Sequence, residues 1–272
     1  MLSCCASRAA LCNFFITGFA ICPETVVYIM SDVETARKKI IVVEYPKSGG
    51  SWFVNMLGDT LGYAKRDIYI DDEGLAPFNL RTHPWYKDAA GFGLPESCVI
   101  KSHELPGSPL HNFPAEVIHL IRDGRDVAVS KYFYEKDFCV ENRITSGFEL
   151  TWDAFMEKTS SEWALFVTAW LAEDALIVHY EDLLRDAAAE VKRIISSLKL
   201  SVAEHMIHAA VQNNTKEAMR RTFENTFRHN TFVRKGVQGD WKNHFDQRHK
   251  VAVKRLAGDV LVALGYEKDN NW

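Results

Sequence analysis

The chain has 272 residues, of which 47% are hydrophobic, 25% charged and 12% aromatic, with 15 glycines and 8 prolines. That balance belongs to an ordinary globular protein and excludes collagen-like, disordered and multi-span membrane classes. Thirty-two basic against 36 acidic residues leave a net charge of -4, so no overall basic field points to nucleic acid and any anion must be met locally.

Four of the six cysteines (Cys4, Cys5, Cys12, Cys22) crowd the first 22 positions, and only Cys98 and Cys139 stand in the remainder. They lack the paired spacing with nearby histidines that holds zinc, so no metal is expected, and their low number predicts a reduced, cytoplasmic protein. From Ala9 to Cys22 the chain is apolar apart from Asn13 and Thr17, with Arg8 just before it, the layout of a short signal or anchor segment. Crossing a bilayer takes about 20 apolar residues, and Pro23-Glu24 ends this run at 14. Residues 1–38 are therefore expected to form a disordered or loosely packed extension, with membrane contact through residues 9–22 as the alternative. Met30, before Ser31-Asp32-Val33-Glu34, is an alternative amino terminus. Residues 39–272 are expected to form one domain.

Ile40-Ile41-Val42-Val43-Glu44 is a β-branched run without alternation, the pattern of a strand buried on both faces of a parallel sheet. Trp52, Phe53, Met56, Leu57, Thr60 and Leu61 follow at helical spacing before Gly62, so a strand, a glycine turn and a helix open a βαβ unit. Residues 66–95, rich in Gly, Pro and Asp, read as a long irregular loop of the kind that usually carries function. Further strands are expected at 98–100, 117–121 and 175–178, with helices around 126–135, 161–172 and 187–198. Strands alternating with helices predict an α/β fold with a central parallel sheet flanked by helices.

Three segments carry chemistry. Between the first strand and its helix stands Tyr45-Pro46-Lys47-Ser48-Gly49-Gly50-Ser51-Trp52, where unpaired N–H groups and the positive end of a helix dipole converge. The glycines let backbone wrap an anion while Lys47 and Ser48 add a charge and a hydroxyl, which makes a phosphate cradle; a tight solvated turn is the plain alternative. The order is not that of a Walker A loop, whose lysine follows its glycines. Val117 to Ile121 delivers Arg122 to a carboxyl strand edge, where ligands of open α/β sheets collect; the alternative is a local ion pair with Asp123 or Asp126. Between Thr231 and Leu256 seven Lys/Arg against two Asp give a local balance of +5, either a solvated basic face or a third anion contact.

Pro46-Lys47-Ser48-Gly49-Gly50-Ser51-Trp52 resembles the P-K-S-G-T-T-W loop of the cytosolic-type sulfotransferases, which holds the 5′-phosphosulfate of 3′-phosphoadenosine 5′-phosphosulfate (PAPS); Gly50 and Ser51 replace its threonines. The run from Val117 to Ser130 is similar to that family's strand-R-x-x-[RK]-D-x-x-x-S element, which implies that Arg122 and Ser130 hold the 3′-phosphate. Arg234-Lys235-Gly236-Val237-Gln238-Gly239-Asp240-Trp241-Lys242-Asn243 resembles the signature R-K-G-x-x-G-D-W-K-N, with Arg234, Lys235 and Gly236 covering the same phosphate. Leu264-Gly265-Tyr266-Glu267 is similar to the close of bacterial members. The resemblance implies a P-loop-like nucleotide-binding fold, PAPS as co-substrate and no metal.

It also implies residue roles. Lys101-Ser102-His103 follows a strand, and histidine, with an ordinary pKa of about 6.5, suits a general base; local packing is the alternative. The segment resembles the family's K-T-H-x-P element, with one more residue before Pro106, so His103 would deprotonate the acceptor, Lys47 would stabilise the departing phosphate and Lys101 would assist. Trp52 and Tyr180, the latter in a segment similar to the family's Y-E-D element, would face the adenine, and Lys216 stands near where the family shows an aromatic. The family's dimerisation motif is not recognisable, which leaves the oligomeric state open. Loops 66–97 and 135–150 are expected to form the pocket of a small hydroxylated, or amine-bearing, acceptor. Phe78, Trp85, Tyr86, Phe92, Phe133, Tyr134, Phe138 and Phe148 would make it apolar. A P-loop-type phosphotransferase and an inactive nucleotide-binding protein remain the alternatives.

Overall fold

A computed structural model describes residues 38–68, 94–112, 114–224 and 233–272, all within one unit, Val33–Trp272. The expected extension over 1–38, apart from Lys38, and the aromatic residues Phe78, Trp85, Tyr86 and Phe92 lie outside the described residues. Strands β1 (Lys39–Glu44), β2 (Ala64–Asp67), β3 (Cys98–Ser102), β4 (Glu116–Ile121) and β5 (Leu176–His179) form a sheet in the order β2-β3-β1-β4-β5. Every pairing is parallel, with Ile41 opposite Ile100 on one side and Val117 on the other. The expected α/β architecture is the one observed.

The helices are α1 (Gly50–Leu61), α2 (Gly124–Phe133), α3 (Trp152–Leu171), α4 (Tyr180–Arg185), α5 (Ala187–Ser197), α6 (Glu204–Asn213), α7 (Lys216–Glu224) and α8 (Gln247–Ala263). Successive side chains of a strand point to opposite faces, and β1 divides accordingly. Ile41 and Val43 join Val127, Phe155, Trp163, Val253 and Leu261 from α2, α3 and α8. Ile40 and Val42 join Phe53, Met56, Leu57, Val191, Ile194 and Ile207 from α1, α5 and α6. The sheet is thus covered on both sides, which is why β1 reads as an unbroken apolar run, and each fully buried Leu, Ile or Phe contributes about 1.5–3 kcal/mol.

Two boundaries differ from expectation. Helix α3 begins at Trp152, well before 161, because Phe155, Met156, Thr159, Ser160 and Trp163 all fall on its buried face. Ala64–Asp67, within and just before the loop expected from 66, is an edge strand paired with β3. Chain flows from β1 through α1 to one side of the sheet and from β4 toward β5 on the other. The carboxyl ends of β1 and β4 therefore flank the crevice in which ligands of such sheets bind. No helix among the described residues is long and apolar enough to cross a membrane.

Candidate active site

The loop leaving β1 turns sharply into α1. Lys47 is held at φ 77 and Gly49 at φ 106, and strain at a non-glycine residue such as Lys47 persists only where the surroundings over-determine it. Gly49 is required twice over, since a Cβ there would also lie 2.6 Å from the Tyr180 ring. Ser48 is buried, and its hydroxyl donates to the Tyr45 carbonyl at 2.8 Å. Expected to face the anion, Ser48 does not line the cavity; its hydroxyl closes the turn from inside.

From β4, Arg122 emerges at the carboxyl edge as expected, and its local acids are otherwise engaged. Asp123 caps α2 by accepting from Arg125 N–H at 2.9 Å and pairs with the Arg125 guanidinium at 2.7 Å. Asp126 accepts from the N–H groups of Gly239 and Trp241 at 2.6 and 2.9 Å, which pins the third basic segment to α2. Arg122 instead donates to the carbonyls of Lys47 and Val237, both at 3.2 Å, and its guanidinium stacks 4.6 Å from the Tyr180 ring centre. One side chain thereby ties together the three segments.

All three open on one cavity of about 240 Å³, lined by Lys47, Gly49, Gly50, Ser51, Trp52, Lys101, His103, Arg122, Ser130, Tyr180, Arg234, Lys235 and Gly236 among others. Every expected site residue except Ser48 reaches it. Arg234 and Lys235 are held by Asp240 at 2.6 and 2.7 Å. Burial opposes ionisation of that carboxyl, but the hydrogen bonds from Lys235 and Arg234 win and hold it below the usual range. The buried Nε atoms of Arg122 and Arg234 have no hydrogen-bond partner, and such orphaned donors in a cavity wall fit a ligand with acceptor oxygens. Trp52 donates its indole N–H to the Asn214 carbonyl at 2.6 Å and meets Tyr180 edge to face at 5.7 Å, which presents an aromatic corner. Lys216 also lines the cavity and donates to the Lys235 carbonyl.

The opposite end gathers the titratable groups. His103 Nδ1 lies 2.9 Å from the Glu44 carbonyl; a carbonyl only accepts, so Nδ1 carries the hydrogen and Nε2 keeps its lone pair. Burial, then the charge of Lys101, lowers the His103 pKa to about 3. Lys47 falls to about 7 through burial and the like charge of Lys101, and its ammonium stands 4.1 Å from the Tyr134 ring centre. Burial would lower Lys101 too, but Asp67 at 2.9 Å and Glu44 keep its pKa raised. Sequence reasoning missed Glu44 and Asp67; an acid closing a strand and another beside a loop carry no signal of their own. Of the aromatic residues expected around the acceptor, Tyr134 lines the cavity and Phe138 stacks on it at 5.2 Å. Phe133 and Phe148 pack instead against Tyr132 and the sheet core.

A sulfotransferase domain model matches residues 37–262. This chain belongs to the sulfotransferase family. The sulfotransferase is 27% identical to rat sulfotransferase 2A2, over 80% of this chain and 84% of that protein. It is 28% identical to guinea pig 3-alpha-hydroxysteroid sulfotransferase, over 89% and 90% respectively. Its fold is similar to the crystal structure of mouse sulfotransferase SULT7A1 complexed with PAP, with a TM-score of 0.63, 21% identity and coverage of 88% of this chain and 89% of that one. It is also similar to retinol dehydratase in complex with androsterone and inactive cofactor PAP, with a TM-score of 0.61, 19% identity and coverage of 85% and 83%.

Proposed function

We propose that the sulfotransferase moves a sulfuryl group from PAPS to the hydroxyl, or amine, of a small apolar acceptor in the cytosol. The observation that carries this reading is the convergence of Lys47, Arg122, Arg234 and Lys235, from three distant segments, on one cavity. When bound, PAPS supplies the sulfuryl group and leaves as adenosine 3′,5′-bisphosphate. Lys47 and the backbone of Gly49, Gly50 and Ser51 hold the 5′ end, at the N-terminus of α1. Arg122, Ser130, Arg234, Lys235 and Gly236 hold the 3′-phosphate, where the orphaned guanidinium donors find acceptors. Trp52 and Tyr180 face the base.

His103 takes the acceptor's proton at Nε2, with the imidazole oriented by its Nδ1–H bond to Glu44. Its lowered pKa keeps it deprotonated before reaction, and the negative charge of a bound nucleotide would raise that pKa as the proton arrives. The same negative charge favours the ammonium form of Lys47, so Lys47 is cationic beside the oxygen that gains charge, and Lys101, held charged by Asp67, adds to it. The hydroxysteroid names among the relatives and the apolar face of Tyr134 support a hydroxylated apolar acceptor. The test is transfer of labelled sulfate from PAPS to a panel of steroids, retinoids, phenols and amines. Transfer that persists in a chelator supports the reading against a phosphotransferase. Binding of adenosine 3′,5′-bisphosphate with no transfer to any acceptor would instead mark an idle nucleotide-binding protein.

A further inference from the structure

Glu44 closes β1, only 2% exposed, in the wall of the anion cavity. The mechanism above uses only its carbonyl, while its carboxylate would repel any phosphate nearby. Glu44 Oε2 accepts from Gly50 N–H at 2.6 Å, one of the α1 donors that a bound anion would use. A Cβ on residue 50 would lie 2.1 Å from Glu44 Oε1, so the carboxyl group fills the room of the side chain that Gly50 lacks. Burial raises its pKa; Lys101 from β3, the Gly50 N–H and Lys47 from the loop favour the charged form, Asp67 from β2 opposes it, and the balance lies at about 7. No acid stands in the first turn of α1.

We propose that Glu44 makes nucleotide binding proton-linked: above neutral pH its carboxylate takes one proton from the buffer as a phosphorylated nucleotide binds. The inference rests on the nucleotide reading of the cavity. Phosphate charge bound in the same cavity would raise its pKa as any like charge does. Protonation removes the repulsion and converts an acceptor-only group into one that also donates. Affinity then falls as pH rises above neutrality. Lys47, at about 7, takes up a proton over the same range, so the two contributions must be separated by variants.

The experiment is calorimetric titration of the full chain with adenosine 3′,5′-bisphosphate from pH 7 to 9, in buffers of differing ionisation enthalpy. There the nucleotide's own phosphates have finished titrating, their second pKa being about 6. In Glu44→Gln the slope of log Kd against pH is expected to be shallower than wild type by about one, a tenfold smaller loss per pH unit, with about one proton fewer taken up. Lys47→Arg keeps the share that belongs to Glu44. Difference infrared spectra at pH 8 are expected to gain the carbonyl stretch of a neutral carboxyl on binding, absent in Glu44→Gln. Equal slopes and proton counts in wild type and Glu44→Gln would overturn the linkage and leave the nucleotide reading standing. Should Glu44→Gln not fold, a wild-type spectrum without that band overturns it. No binding at any pH would overturn the nucleotide reading and this proposal together.

Discussion

The two ends of the cavity solve opposite problems. At the end formed by Arg122, Arg234 and Lys235 the cations carry hydrogen bonds or ion pairs, with Asp240 and two backbone carbonyls as partners. At the other end Glu44, Lys47 and His103 are buried together, and their pKa values are driven to about 7, 7 and 3. Guanidinium groups hold charge whatever their surroundings, whereas lysine, glutamate and histidine exchange protons when desolvated. On the proposed reading, one end binds and the other passes protons and charge during the reaction.

The sharpest way to break that contrast is to truncate one cation from each end. Lys47→Ala is expected to lower kcat about 10²–10³-fold, as loss of a preorganised electrostatic group does, and His103→Ala to do the same or more while retaining nucleotide affinity. Arg122→Ala removes a charge-assisted contact and is expected to raise the Kd of adenosine 3′,5′-bisphosphate about 10–100-fold, with a smaller effect on kcat. Steady-state rates beside calorimetry separate the two. Equal losses of affinity and turnover in Lys47→Ala and Arg122→Ala would abolish the division of labour.

A smaller effect probes why the reactive end tolerates a buried acid at all. In Gly50→Ala the new methyl group meets the Glu44 carboxyl at 2.1 Å, so overpacking is expected to destabilise the fold by about 1–3 kcal/mol. Glu44→Ala in the same chain vacates that space, and the double variant is expected to be more stable than the sum of the single effects predicts. Urea unfolding of the four chains measures this coupling, and strict additivity would mean that the two residues do not compete for room.

What was legible before the structure follows the same division. The β-branched run of β1, the glycines of its loop and the cationic motifs announce themselves because backbone conformation and permanent charge are local properties, and all but Ser48 converge as expected. Glu44 stayed hidden because its burial depends on β3 and α1 closing around it, which no local pattern encodes. Strand β2 was hidden for a related reason: Ala64–Asp67 is short and polar, and only its register with β3 makes it a strand. The start of α3 was obscured by Thr159 and Ser160, which resemble a helix boundary yet are buried within the helix.

The smallest expected effect lies outside the cavity and tests whether proton sensitivity belongs to the reactive end alone. His119 sits in the middle of β4, 0% exposed, with Phe166 and Trp170 beside it and no hydrogen-bond partner on either ring nitrogen. Burial, then the neighbouring His179, lowers its pKa from 6.5 to about 3. An unfolded chain binds the His119 proton below about pH 6.5 while the folded chain does not, so acid favours unfolding; the penalty grows by up to about 1.4 kcal/mol per pH unit until the folded value is reached. His103 contributes with the same sign. Urea midpoints are therefore expected to fall between pH 7.5 and 5, and His119→Leu to flatten that fall by one group's share while leaving the nucleotide's pH dependence unchanged. If His119→Leu and wild type lose stability in parallel on acidification, the acid sensitivity of the fold resides in the other buried histidines, His103 of the cavity together with His111 and His179.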